Sequence, residues 1–212
     1  MNYLDYLRTD KFPHFWCSGC GNGIVLCAIA RAFEELDLTL ENTVVVTGIG
    51  CWGKADDYVR TNSFHGTHGR ALAFATGIKL ANPSLNVVVL MGDGDGITIG
   101  GNHFIHAARR NVDVTAILVN NFNYGMTGGQ YSGTTPEERI TTTSRYGHIE
   151  EGFDICAVAK AAGARYVARA STENPQQLKN LIRDGIKKQG FACIEAISPC
   201  PTHFGRNNGM RS

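Results

Sequence analysis

Two polar motifs in the sequence have the composition of a divalent-cation site. Residues 92–96 read GDGDG, so carboxylates alternate with glycines that allow a ligand to approach the backbone closely. Residues 120–123 read NNFN and supply amide oxygens. Mg²⁺ takes a few protein oxygens in an octahedral arrangement and fills its other positions with water and phosphate oxygens. Each motif alone is typical of an ordinary turn, but the two together predict a site for Mg²⁺ and a phosphate group.

The seven cysteines of the chain divide into two groups. Cys17 and Cys20 form a C-x-x-C pair ahead of a predicted helix, and Cys51 and Cys200 follow predicted strands in loops rich in Gly or Pro. The other three lie within predicted helices or a strand, where a buried small apolar side chain is the better interpretation. These three are Cys27, Cys156 and Cys193. Four loop thiols are the number that holds a tetrahedral zinc or a [4Fe–4S] cluster, and their spacing favours neither.

An alternation of predicted strands and helices must position these residues. β-Branched and apolar runs predict strands at 43–47, 86–91, 112–119, 165–168 and 191–197. Helical patterns cover 23–36, 69–81, 101–110 and 153–162, and a further helix begins at 174–175. Such alternation predicts an α/β protein with a mostly parallel sheet and helices on both faces. Ligands of such sheets bind beyond the carboxyl ends of the strands, where both polar motifs and two loop cysteines fall.

The segment 120–152 contains no long periodic run and is rich in Gly, Thr and Tyr. Loops of this length inside a compact domain are usually functional or mobile. Because it follows a predicted strand and contains the NNFN motif, we expect it to contribute to the ligand site.

The composition excludes several classes of partner. With a formal net charge of +1 and 18% charged residues, the chain lacks the positive excess that nucleic acid or an anionic membrane would attract. Its apolar runs are far shorter than the ~18 residues of a membrane helix, and its N-terminus lacks a signal-peptide pattern. We therefore expect a cytoplasmic protein that binds neither nucleic acid nor membrane and folds as one domain over residues 1–212.

Residues 48–53 (GIGCWG) match the G-x-G-x-x-G pattern of dinucleotide-binding proteins. The sequence that follows, KADDYVRTNSF, opens no helix with a clear apolar face. It also lacks an acidic residue at a strand end about 20 positions later, where NAD-binding folds bind the ribose. We therefore reject NAD binding.

The GDG and NN motifs, at their spacing in this chain, resemble the signature of thiamine diphosphate enzymes. The resemblance implies that Asp93 and Asn121 bind Mg²⁺ through their side chains and Asn123 binds it through its carbonyl oxygen. It also implies that four further residues lie along the diphosphate. These are Gly94, Asp95, Gly125 and Met126.

Together with the loop cysteines, this signature resembles the β subunits of 2-oxoacid:ferredoxin oxidoreductases. The stretches that carry the resemblance are WCSGCGNG, TGIGCWGK, HGTHGRALAFATGIKLANP, MGDGDG, NNFNYGMTGGQ and ISPCPTHFGRNN. The resemblance implies a thiamine diphosphate-binding (PP-type) domain, with cluster-binding loops at both ends of the chain. The implied ligands of a [4Fe–4S] cluster are Cys17, Cys20, Cys51 and Cys200. The residues implied to line the thiamine site are Ile49, Gly50, Cys51, Trp52 and His68. Trp52 departs from the family pattern, in which small polar residues are common.

The resemblance implies CoA-dependent oxidative decarboxylation of a 2-oxoacid, with electrons passing to the cluster and then to ferredoxin. A partner α subunit would supply the carboxylate that activates the aminopyrimidine, because this chain offers no convincing candidate. Lys54 would meet the distal carboxylate of the substrate, which favours 2-oxoglutarate over pyruvate and branched-chain 2-oxoacids.

Two alternatives stay open. A non-oxidative thiamine-dependent decarboxylase with incidental cysteines would contain no iron. A non-catalytic iron–sulfur electron-transfer subunit would contain iron but would not respond to thiamine diphosphate and Mg²⁺.

Overall fold

The computed structural model describes residues 1–210, which contain six β-strands and five α-helices. The strands are β1 (Thr43–Thr47), β2 (Asn62–His65), β3 (Asn86–Gly92), β4 (Thr115–Asn120), β5 (Tyr166–Ser171) and β6 (Ala192–Ile197). The helices are α1 (Asn22–Glu35), α2 (Ala71–Ala81), α3 (Gly101–Arg109), α4 (Ile155–Ala161) and α5 (Pro175–Lys187). Within this range, each helix is too short or too polar to cross a membrane. The predicted single domain extends to Ser212, and its last two residues lie outside the described range.

The six strands form one parallel sheet in the order β2-β1-β3-β4-β6-β5. The chain passes from β1 outward to β2 and then crosses back to β3 on the other side of β1. The direction of winding therefore reverses between β1 and β3. At such a switch point the loops from neighbouring strands diverge and leave a crevice beyond the carboxyl ends. The fold thus places a ligand crevice between the loops that follow β1 and β3, which end at residues 47 and 92.

Helices cover both faces of the sheet, which confirms the predicted fold class. On one face α1 and α5 pack against residues such as Val45 and Ile117. On the other face α2, α3 and α4 pack against residues such as Val46 and Leu118. Because β1 and β4 are buried over their whole lengths, their sequences are continuous apolar or β-branched runs rather than alternating ones.

The strand β2 was not predicted. All four of its residues are exposed, and it joins the sheet at an edge by pairing with β1. Such a strand contains no apolar run, because main-chain hydrogen bonds hold it in the sheet and these do not depend on the type of side chain. The predicted strand at 112–119 also begins late, at Thr115, because the amide of Val114 bonds to the carbonyl of Val112 in a turn.

The long segment between β4 and α4 forms neither strand nor α-helix, as predicted for 120–152. It folds back on itself where the amide of Tyr124 donates to the carbonyl of Gln130 at 2.9 Å. It ends at Asp154, whose side chain accepts a hydrogen bond from the amide of Ala157 at 3.1 Å and caps α4. The segment therefore lies against the sheet edge as an ordered wall.

Candidate cofactor and metal site

A cavity of about 110 Å³ lies beyond the carboxyl ends of β1, β3 and β4. It occupies the crevice at the switch point, where the fold leads us to look for a ligand. The residues of the thiamine prediction all line it: Ile49, Gly50, Cys51, Trp52, His68, Asp93, Gly94, Asp95, Asn121, Asn123, Gly125 and Met126. The structure thus gathers residues that are far apart in the sequence around one small cavity.

Three oxygen-bearing groups meet at one side of this cavity. One terminal atom of the Asn121 amide lies 2.7 Å from the main-chain oxygen of Asn123 and 3.3 Å from Oδ1 of Asp93. Without a metal the Asn121 amide satisfies both oxygens by donating from its nitrogen, and in the flipped orientation it presents its oxygen there, so that a cation would be bound by three oxygens. One carboxylate, one amide and one carbonyl oxygen form a donor set that suits Mg²⁺. These residues therefore fit the predicted cation.

The Asp93 carboxylate is only 2% exposed. Its Oδ2 accepts hydrogen bonds from the hydroxyls of Ser132 at 2.5 Å and Thr134 at 2.6 Å. Burial raises the pKa of this carboxyl above its usual range, and the two hydroxyls oppose that shift. A cation beside Oδ1 would favour the charged form further, because an opposite charge stabilises a buried carboxylate.

Asp95 is the second residue of a π-helical turn, Gly94–Ile99, and its carboxylate lies against Gly48, the residue after β1. Its Oδ1 lies 2.7 Å from the amide of Gly69 and 2.6 Å from Nδ1 of His68, which both donate to it. Its Oδ2 is buried without a hydrogen-bond partner. A Cβ at Gly48 would overlap this carboxylate, so the close approach requires glycine there.

A second cavity, of about 250 Å³, is lined by four cysteines that we call the cysteine cluster: Cys17, Cys20, Cys51 and Cys200. Cys17 and Cys20 precede α1, Cys51 follows β1, and Cys200 follows β6. Burial and the three neighbouring thiols raise the pKa of Cys51 to about 11, and burial raises that of Cys20. Such thiols stay protonated in water near neutral pH, and a positive metal centre would favour their deprotonation.

The sulfurs of the cysteine cluster are too far apart for a single tetrahedral ion. Zinc with Zn–S bonds of ~2.3 Å holds sulfurs about 3.8 Å apart. Among residues 1–210, no three of these sulfurs lie within 4.8 Å of one another. The cavity between them suits a larger inorganic centre better than one zinc ion.

One compact group of potential metal ligands does occur elsewhere in the described chain, formed by Asp154, Cys156 and Glu195. Arg169 already lies among these residues. Its guanidinium donates to Glu195 Oε2 at 2.7 Å and to Asp154 Oδ1 at 2.6 Å. The Arg169 guanidinium therefore supplies the positive charge that a metal ion would otherwise bring to these two carboxylates.

Lys54 is the one predicted site residue that neither cavity includes. It lies in a 3₁₀ turn, Trp52–Tyr58, and its Nζ is 2.6 Å from Oδ2 of Asp57 on the surface. That ion pair raises the pKa of Lys54 and lowers that of Asp57. The structure does not bring this lysine to the cavity.

Sequence reasoning also missed three residues that shape the site. Tyr124 donates from its hydroxyl to the carbonyl of Gly94 at 3.0 Å, and Ser132 and Thr134 bind Asp93. Ser132 and Thr134 come from a part of the long loop where no motif or periodicity marks them. Only the statistical expectation that a long loop is functional pointed to that segment.

Comparisons with known proteins agree with this geometry. A family model for the C-terminal, thiamine pyrophosphate-binding domain of thiamine pyrophosphate enzymes matches residues 46–196. The 2-oxoglutarate synthase subunit KorB of Methanothermobacter marburgensis is 55% identical over 210 residues, which cover 99% of this chain and 74% of that protein. KorB of Archaeoglobus fulgidus is 55% identical over 201 residues, covering 95% and 75%.

A solved structure is also similar over nearly the whole chain. It is a 2-oxoglutarate:ferredoxin oxidoreductase from Magnetococcus marinus with 2-oxoglutarate, coenzyme A and succinyl-CoA bound. The TM-score is 0.92 at 40% sequence identity, over 95% of this chain and 69% of that chain.

Proposed function

The chain belongs to the family of 2-oxoacid:ferredoxin oxidoreductase β subunits, 2-oxoglutarate type, and from this premise we propose its reaction and cofactor ligands. With a partner α subunit it oxidises 2-oxoglutarate in the presence of coenzyme A. The products are succinyl-CoA, CO₂ and a proton, and two electrons leave one at a time for two molecules of ferredoxin.

The observation that carries this proposal is a wall shared by the two cavities. Cys51, Asn121, Gly125 and Met126 line both of them. An electron acceptor beside the thiamine site is what an oxidative decarboxylation needs. A non-oxidative decarboxylase would have no use for four thiols at that place, so the arrangement favours the oxidative reaction.

We assign Asp93, Asn121 and the carbonyl of Asn123 as the Mg²⁺ ligands. The Asp93 carboxylate, the Asn121 amide and the main-chain oxygen of Asn123 meet at one side of the cavity, which supports the assignment. Thiamine diphosphate, when bound, supplies the nucleophilic carbon and the electron sink for decarboxylation. The residues assigned to hold its diphosphate line the same cavity: Gly94, Asp95, Gly125 and Met126.

His68 is assigned to the thiamine site together with the loop after β1. Its Nδ1 is held by Asp95 at 2.6 Å, which makes Nδ1 the protonated nitrogen and leaves Nε2 to contact a ligand. Ile49, Gly50 and Trp52 form the wall on the β1 side. Trp52 is 2% exposed and buried within this wall, whereas Ile49 is 38% exposed at its outer end.

The cysteine cluster is assigned to a [4Fe–4S] centre. Four thiolates hold such a cluster, and the separation of the sulfurs argues against a single zinc ion. Cys51 lines both cavities, so it links the thiamine site to the centre that receives the electrons. Ferredoxin is the proposed final acceptor.

The α subunit completes the active site in this proposal. The carboxylates that line the thiamine cavity are Asp93 and Asp95, and both are already engaged by hydroxyl, amide or histidine groups. The carboxylate that activates the aminopyrimidine is therefore assigned to the partner. Lys54 would have to leave Asp57 to bind the distal carboxylate of the substrate, and this role stays a prediction.

The proposal is tested by co-purifying the chain with its α subunit and following CoA-dependent reduction of a viologen dye. We expect reduction with 2-oxoglutarate and much slower reduction with pyruvate or a branched-chain 2-oxoacid. Release of CO₂ without CoA from a colourless protein would instead identify a non-oxidative decarboxylase. A brown protein whose melting temperature ignores thiamine diphosphate and Mg²⁺ would identify an electron-transfer subunit.

A further inference from the structure

The long loop after β4 returns to the sheet edge at a place that no motif marks. Ser132 and Thr134 lie there against Asp93, and the exposed fractions of their side chains are 0% and 3%. We propose that these two residues are positioning residues for the cation site: they hold Oδ2 of Asp93 and leave Oδ1 for the divalent cation. The inference rests on the Mg²⁺ site of the proposed function and adds to it two residues outside the thiamine signature.

The two oxygens of the Asp93 carboxylate face different surroundings. Oδ2 accepts hydrogen bonds of 2.5 and 2.6 Å from the two hydroxyls, which are short, as expected for a charged acceptor. Oδ1 lies 3.3 Å from the Asn121 amide, on the side where the cation ligands converge. Two bonds to one oxygen fix the rotation of the carboxylate, so Oδ1 points at the cation position before a metal arrives.

The chemistry of the hydroxyl group suits this task. A hydroxyl donates one proton and carries no charge. It can therefore orient Asp93 without neutralising it, and the full negative charge stays available to the cation. A lysine or arginine in the same place would orient the carboxylate but would compete with Mg²⁺ for its charge.

A buried polar chain lies behind Thr134. Its Oγ1 lies 3.0 Å from Oδ1 of Asn120, and the Asn120 amide donates to Oε1 of Glu195 at 2.8 Å. Thr134 has one hydroxyl proton and donates it to the carboxylate at 2.6 Å, so its contact with the Asn120 oxygen is a packing contact without a hydrogen bond. Arg169 closes the chain by donating to Oε2 of Glu195 at 2.7 Å.

Main-chain bonds fix the loop around Ser132. Its amide donates to Oγ1 of Thr135 at 2.9 Å, and the amide of Gly133 donates to Oγ1 of Thr98 at 2.9 Å. Thr98 lies in the π-helical turn that follows Asp93, and its hydroxyl donates to the carbonyl of Asp93 at 3.2 Å. The hydrogen bond from Gly133 to Thr98 therefore ties the loop to the Asp93 turn next to the residue that binds the carboxylate.

The test measures metal affinity and not turnover. Mn²⁺, a spectroscopic substitute for Mg²⁺, is titrated into the metal-depleted αβ complex with thiamine diphosphate, and free Mn²⁺ is followed by electron paramagnetic resonance. Ser132→Ala and Thr134→Val should each weaken Mn²⁺ binding about 10- to 100-fold, the usual effect of losing an outer-shell partner. Thr134→Ser keeps the hydroxyl and should stay within about threefold of the wild type.

Thr115→Val is the matched control. Thr115 is also a buried threonine, but its hydroxyl bonds to the carbonyl of Gly185 at 3.4 Å, at the opposite edge of the sheet. It should leave Mn²⁺ affinity unchanged. Wild-type affinity in both Ser132→Ala and Thr134→Val would overturn the inference, and so would equal weakening in Thr134→Ser and Thr134→Val. If the wild type itself binds no Mn²⁺ with thiamine diphosphate present, the proposed metal site fails and the inference falls with it.

Discussion

Replacing Gly48 by alanine tests the close contact between β1 and the Asp95 carboxylate. An added Cβ would overlap the carboxylate, with Cγ of Asp95 only 2.6 Å away. Asp95 is 2% exposed, and its Oδ1 accepts from the amide of Gly69 at 2.7 Å and from Nδ1 of His68 at 2.6 Å. The carboxylate cannot move away from the new methyl group without giving up part of these hydrogen bonds.

The expected loss follows from those two bonds. A hydrogen bond to a charged group contributes about 1.5–3 kcal/mol, and the bond to His68 belongs near the low end because that ring is partly exposed. We therefore expect Gly48→Ala to lower the free energy of unfolding by about 3 kcal/mol. In a chain of this size each kcal/mol shifts Tm by about 2–4 °C, so Tm should fall by about 6–12 °C.

Gly77→Ala provides the matched control. Gly77 lies inside α2, and a Cβ there would meet no atom within 4 Å. Glycine inside a helix costs about 0.5–1 kcal/mol relative to alanine, so this variant should raise Tm by about 1–4 °C. Both variants are measured as αβ complexes by differential scanning fluorimetry with and without thiamine diphosphate and Mg²⁺. Gly48→Ala should also reduce the rise in Tm that the cofactor produces, because His68 and Asp95 line its cavity. A Gly48→Ala complex that melts within about 1 °C of the wild type would refute the steric argument.

Three further predictions follow from the cysteines and the buried ion pair. If the cysteine cluster holds the proposed [4Fe–4S] centre, Cys200→Ser should lose most of its about four iron atoms, whereas Cys193→Ser, in a fully buried position of β6, should keep them. Equal iron loss in both would contradict the ligand assignment. Arg169→Ala should lower the free energy of unfolding by about 1–3 kcal/mol, because the buried Glu195 carboxylate loses its cationic partner, as urea denaturation would show. Burial and Glu195 raise the pKa of Cys156 to about 12. Its thiolate fraction, and with it the rate of alkylation measured by mass spectrometry, should therefore rise about tenfold per pH unit between pH 7 and pH 10. An alkylation rate that levels off near pH 9 would contradict this pKa.

Much of the fold was predictable because the central strands are buried on both faces. The run TVVVT became β1 with the predicted bounds, and the run from Asn86 became β3 with one residue more. The exposed strand β2 was not predictable in the same way, since hydrogen bonds to β1 and not side-chain burial hold it in place. The other edge strand, β5, is partly buried and was predicted at 165–168, so it is full exposure that leaves no mark in the sequence.

The site was predictable where a residue type is chemically necessary at a strand end. Glycines beside Asp93 and the loop cysteines are such cases, and the structure brings them together at one edge. Ser132 and Thr134 were not predictable, because many loop residues are Ser or Thr and only the folded loop brings these two to Asp93. Lys54 is the opposite case, a residue that the sequence suggested and the structure leaves outside. It is only three positions from Cys51, but its side chain pairs with Asp57 on the surface and does not line the cavity.

The segment after β4 couples the two proposed centres directly. Asn123 offers its carbonyl oxygen to the cation position, and its side-chain Oδ1 accepts a weak hydrogen bond from Sγ of Cys200 at 3.8 Å. A Cβ at Gly125 would lie 3.6 Å from the sulfurs of both Cys51 and Cys200, so this glycine lies beside two members of the cysteine cluster while it also lines the thiamine cavity. One short stretch of backbone, with Asn121, Gly125 and Met126, thus lines both cavities. The two proposed centres therefore share one wall, and the group that would take the electrons lies beside the thiamine cavity.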